Sequence, residues 1–88
     1  MTSERAAVVA LEAAAFLASR PERMETFLAA SGMDGSSLRV RLEDSGVQEA
    51  VLAFVLGDDA LVLDFCRERN LDPRELHLAH HRLSDPQP

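Results

Sequence analysis

The sequence predicts an all-α fold, a compact bundle of five or six short helices forming a single helical domain over residues 1–83, with 84–88 as a flexible C-terminal tail. Three observations lead there. Gly and Pro punctuate the chain regularly, with Gly32, Gly46 and Gly57 next to an end of a hydrophobic segment. Within the segments, apolar residues return at spacings of three and four, as one face of a helix requires. Several segments also open on a helix-start signal, a short polar side chain followed by Pro or Glu.

The first segment, Ser3 to about Ala18, is rich in Ala, Leu and Glu, the strongest helix formers, with Ser3 or Thr2 as its N-cap. Its apolar residues surround most of the wheel. Such a helix is expected to lie centrally or to present a second face to a partner. The second begins at Ser19-Arg20-Pro21-Glu22, where Ser19 and Glu22 have capping-box spacing and Pro21 falls in the first turn. Met24, Phe27, Leu28 and Ser31 then follow one face, and Gly32 fits the left-handed residue that ends a helix. Leu38 to Glu43 alternates with period two, the strand template. A lone strand has no partner for its backbone groups, so a short helix burying Leu38 and Leu42 is preferred and a strand is the alternative. Ser45 and Gln48 form another capping box for a helix from Gly46 to Leu56, with Val47, Val51 and Phe54 inward.

Gly57 breaks that helix. Asp58 and Asp59 cap the next, placing negative charge at its positive dipole end. It runs to about Arg69, buries Leu61 and Phe65, closes on Arg67 and Arg69, and stops at Asn70. The last helix, Pro73 to Leu83, has the fullest start signal: Asp72 as N-cap, Pro73 at N1, Glu75 at N3, and Leu71 with Leu76 as a hydrophobic staple. Ser84 to Pro88, with two Pro and no apolar anchor, is read as the tail. The expected core is Phe16, Phe27, Phe54, Phe65, Leu11, Leu28, Val51 and Leu61.

Composition removes several function classes. The 88 residues carry 15 acidic and 9 basic side chains for a net charge of −6, and every basic residue is Arg. A chain without Lys has neither a Schiff-base lysine nor a phosphate-loop lysine. The acidic balance disfavours nucleic acid, whose phosphates demand clustered positive charge. A single Cys excludes an internal disulfide framework and a Cys-based zinc site within one chain, so a reducing cytoplasm is the expected compartment. Ala6 to Ala18 is apolar at every position but Glu12, yet it is too short to span a bilayer and lacks the basic flank of a signal peptide.

Four constellations carry potential chemistry. His77 and His81 lie at i and i+4 and could chelate a metal, with His80 beside them, but a zinc site wants three or four ligands. The polar outer face of a terminal helix is the simpler reading. Cys66 sits mid-helix between Phe65 and Arg67 and reads as core filler. Asp58, Asp59, Asp64 and Glu68 are accounted for by capping, by an i+3 pair of Asp64 with Arg67, and by a helix end. Phe27 to Leu42 could be a helix-turn-helix carrying Arg39 and Arg41, but residues two apart on a helix point about 200° apart, so both cannot enter one groove. Glu43 and Asp44 add repulsion there.

Pro21-Glu22-Arg23, Phe27-Leu28, Gly32, Leu38-Arg39, Val51-Leu52-Ala53-Phe54, Asp58-Asp59-Ala60-Leu61 and Phe65-Cys66 follow one another in order. In this the chain resembles the small alphaproteobacterial proteins grouped as domain of unknown function 3572, over roughly Ala7 to Leu76. The resemblance implies a small all-helical cytoplasmic protein and transfers no activity and no site residue. No catalytic, cofactor-binding or metal residue is therefore expected. The leading expectation is a non-enzymatic module that binds a protein partner or itself as a homodimer. Its apolar surplus, Val8, Val9, Leu11, Phe16 and Leu17 in the first helix and the run Ala50 to Leu56, offers the surface. The alternative is a helix-turn-helix-like nucleic-acid-binding regulator.

Overall fold

A computed structural model describes residues 1–84, and through them the chain runs as helices joined by turns of two to four residues. They are α1 (Ser3–Ala18), α2 (Pro21–Ser31), α3 (Gly35–Val40), α4 (Ser45–Leu56), α5 (Asp59–Arg69) and α6 (Pro73–Ser84). The fold is an all-α bundle. Leu38 is helical and buried and no strand forms there, but α3 ends at Val40 and the chain turns over Arg41–Glu43, so Leu42, expected in the buried face of the helix, is half-buried in the turn. Ser84 closes α6 with its hydroxyl donating to the His80 carbonyl at 2.8 Å, one residue beyond the expected helix end at Leu83. Asp85 to Pro88 lie outside the described residues.

α1, α4 and α6 pack on one another, α2 flanks α1 and α4, and α5 lies against α4 and α6. The Cα envelope measures 32 × 29 × 17 Å. Packed helices stand about 8–10 Å apart, so the thin dimension holds two layers, and most helices keep a solvent face. α1 is central as expected: Ala6, Val9, Ala10, Ala13, Ala14, Phe16 and Leu17 are all buried, and its small alanines let neighbouring backbones come close. The tilted Phe16–Phe65 pair, 5.1 Å between centroids, ties α1 to α5. Phe27 meets Phe54 edge-on at 5.4 Å between α2 and α4.

Of the expected core, Phe16, Phe27, Phe65, Val51 and Leu61 are buried, while Phe54 and Leu28 are half-buried against it. Leu11 is a correction. It is 40% exposed, because α1 already fills its inward face with Val9, Ala13, Phe16 and Leu17 and Leu11 points the other way. Leu52, Val55, Leu76 and Ala79 complete the interior.

The caps follow the sequence in part. Thr2 accepts from the Arg5 amide at 3.0 Å. Glu75 accepts from the Asp72 amide at 3.1 Å, one half of the box expected of α6, while the Asp72 side chain accepts from the Arg74 amide at 2.8 Å and the Glu75 amide goes to the Asp72 carbonyl. Gly32 (φ 76°) and Asn70 (φ 56°) end α2 and α5 in the left-handed conformation. Two boxes are not formed. Ser19 ends α1 instead of opening α2: its amide is taken by α1 carbonyls and its hydroxyl donates to Phe16 at 2.7 Å, leaving Arg20 at the N-cap of α2. Asp44, one residue before Ser45, caps α4 through the Gly46 amide at 2.8 Å. Gln48 is thereby released to turn inward, where its amide donates to the Leu42 carbonyl at 2.8 Å and closes the α3–α4 turn.

These caps carry a pH dependence. Backbone amides donating to Asp34, Asp44 and Asp58, from Ser37, Gly46 and Leu61 first, hold all three carboxyls below the ordinary 3.8, with Arg41 and Arg23 contributing less to the latter two. A carboxyl lowered in the folded state contributes stability in full above its unfolded value and loses it as pH falls through the folded one. The thermal midpoint by circular dichroism should therefore be level from neutrality to about pH 5 and drop below about pH 4. A midpoint that rises on acidification contradicts this account.

Candidate interaction groove

The residues with intrinsic chemistry are dispersed. On α6, His77 and His81 face solvent, and His80 turns to α4, its Nε2 3.0 Å from Glu49 Oε2. Among the described residues no three His, Cys, Asp or Glu side chains gather to hold a metal ion. Cys66 is 6% exposed on the inner side of α5, and burial, with the negative charges of Asp72 and Glu75, pushes its thiol up from the ordinary 9.0. A thiol raised this way is a poor nucleophile near neutrality. Asp58 is committed to the Ala60 and Leu61 amides and to Arg23 at 2.9 Å, Asp64 to Arg67 at 3.6 Å, and Glu68 to Arg20 at 3.1 Å. Asp59 stands in the first turn of α5. Arg20 also lies 4.0 Å above the Phe16 ring, so this ion pair covers the aromatic core.

The α2–turn–α3 segment does not present a basic helix face. α3 has six residues; Arg39 points to the hollow beside α1, and Arg41, beyond the helix end, pairs with Asp44 at 3.6 Å. No helix among the described residues is long and apolar enough to cross a membrane.

What the fold does assemble is apolar. α1 turns Val8 (43% exposed), Leu11, Ala15 and Ala18 outward, at alternating spacings of three and four. Beside this stripe a hollow of about 450 Å³ opens between α1, α2 and α3, its floor set by Ala14, Ala15 and Ala18 and its far wall by Met24, Leu38 and Leu42. Gly35, whose Cβ would meet nothing within 4 Å, leaves one end wide. Arg39 is the charged residue of the wall. A second, smaller hollow of about 340 Å³ lies between α2 and α4, walled by Phe27, Ala30, Ala53 and Phe54.

The sequence points to part of this site. A second apolar face of α1 is the expectation that the outward Val8 and Leu11 meet, while Val9, Phe16 and Leu17 go to the interior. It misses the wall, because Leu38 and Leu42 read as ordinary core and nothing in their spacing says that α3 stands off from α1 far enough to leave a hollow. The available signal is α3's brevity between Gly35 and the turn at Arg41, which limits how much of α1 it covers.

No curated protein and no solved structure matches the chain. Residues 3–86 match the model of a family described as protein of unknown function (DUF3572), which spans all six helices and every residue of the hollow. The chain belongs to that family.

Proposed function

We propose that the chain is a small non-enzymatic protein–protein interaction module of the cytoplasm, and that it docks an apolar helix in the groove between α1 and α3. The observation that supports this is the outward Val8, Leu11, Ala15 and Ala18 stripe beside an apolar hollow that holds no nucleophile and no acid–base pair. An amphipathic helix laid in a groove is recognised through apolar anchors at three- and four-residue spacing. Alanines on the floor allow close approach, and Arg39 on the wall favours an acidic group on the incoming helix.

Affinity capture with three baits tests the reading. The wild type and a variant lacking His77, His80, His81 and the Cys66 thiol (His to Gln, Cys66→Ala) should retain the same protein, whereas Leu11→Arg, with an unchanged circular dichroism spectrum, should lose it. A metabolite or metal held by the wild type and lost from the quadruple variant overturns the module in favour of a site. Duplex DNA at low salt, where phosphate attraction is strongest, should leave the anisotropy of a labelled duplex unchanged.

A further inference from the structure

We propose that the groove's occupant is a second copy of the chain, with the two α1 helices side by side and parallel about a two-fold axis. This rests on the reading of the groove as a docking surface and names its partner. The outward positions 8, 11, 15 and 18 have the spacing of a two-stranded coiled-coil seam, in which each side chain enters a hole on the facing helix. A two-fold interface uses one patch twice, and about an axis parallel to α1 each seam position stands level with itself, so Val8 meets Val8 and Leu11 meets Leu11 while the small Ala15 and Ala18 let the two helices approach.

Charge selects the direction. At about 100° per residue, Glu12 falls on one edge of the stripe and Ala14, with the α3 wall and Arg39, on the other. Among the described residues neither Glu12 nor Arg39 has an oppositely charged group within 4.0 Å, although six other arginines do. An axis parallel to α1 sets the Glu12 edge of each copy against the Arg39 wall of the other, giving two opposite-charge pairs. An antiparallel arrangement sets Glu12 against Glu12 and Arg39 against Arg39. Glu4 continues the seam one turn before Val8. In the parallel pair the two Glu4 carboxylates flank the axis, so the seam ends at Val8 and the association is weak.

Sedimentation equilibrium, carried to millimolar concentration, tests this on the full chain. The wild type should pass from monomer to dimer with concentration, and Leu11→Arg should stay monomeric. Glu12→Arg and Arg39→Glu should each weaken the dimer about tenfold, since each change replaces two attractive pairs by repulsive ones. The double reversal should restore it, and Glu4→Leu should tighten it. A wild type that remains monomeric overturns the proposal; if Leu11→Arg still abolishes capture of another protein, the groove reading stands without it. A dimer indifferent to Leu11→Arg, or a double reversal that fails to rescue, also overturns it.

Discussion

Replacing Phe65 with Ala should cost about 3–5 kcal/mol, the range for emptying a fully buried aromatic site. Phe65 is 0% exposed, and its ring is the α5 half of the pair with Phe16. The loss is compounded because Phe16 is sandwiched: Arg20 covers its ring and is itself held by Glu68, one turn along α5 from Phe65. A domain of this size has about 4–13 kcal/mol of total stability, so this variant stands near the edge of folding. Its thermal midpoint by circular dichroism should drop by at least about 12 °C, given about 4–8 °C per kcal/mol. Leu63→Ala on the same helix, 55% exposed in the wild type, should cost less than about 0.5 kcal/mol and so move the midpoint by no more than about 2–4 °C. Equal shifts for the two would mean that the α1–α5 contact does not hold the fold.

Enlarging Ala13 to Leu should be damaging for the opposite reason. Ala13 is 0% exposed in the middle of the buried face of α1, where Ala6, Ala10 and Ala14 also lie. Three added carbons there must push α1 off its neighbours, at about 1–3 kcal/mol or more. A lower urea midpoint with an unchanged slope would report a less stable but equally compact native state. Ala15→Leu, two positions on and outward, should leave the midpoint in place while filling the hollow beside Leu38. If both substitutions were equally tolerated, the close approach of α1 to its neighbours would not be a constraint.

Local signals carried the helices, because a helix boundary is decided within a few residues. Asp72, Pro73 and Glu75 open α6 through contacts no more than three residues apart, and Gly32 and Asn70 end helices through their own backbone angles. Where two adjacent residues competed for one role, sequence order was insufficient. Ser19 had capping-box spacing to Glu22, but the end of α1 claimed it first; Asp44 took the cap that Ser45 and Gln48 together suggest. Burial was harder, since it depends on which helix arrives from elsewhere in the chain. Leu11 and Leu17 are the same residue type on one helix, and only the placement of the other helices makes one exposed and the other buried. The hollow was least legible of all, because it is a property of the distance between α1 and α3.

The union of α1 with α6 has a consequence for how the molecule is made. The earliest helix finds one of its main partners in the latest, and Arg82 reaches back to the Ser3 hydroxyl at 3.1 Å while Arg5 meets Glu75. The 54 residues between Ala18 and Pro73 must leave the ribosome before that union begins. At about 5–20 residues per second the nascent α1 waits some 3–10 s for this partner to emerge. Until then the bundle lacks one of its three mutually packed helices, so a stall in translation between α2 and α5 should yield a protease-sensitive chain rather than a folded one.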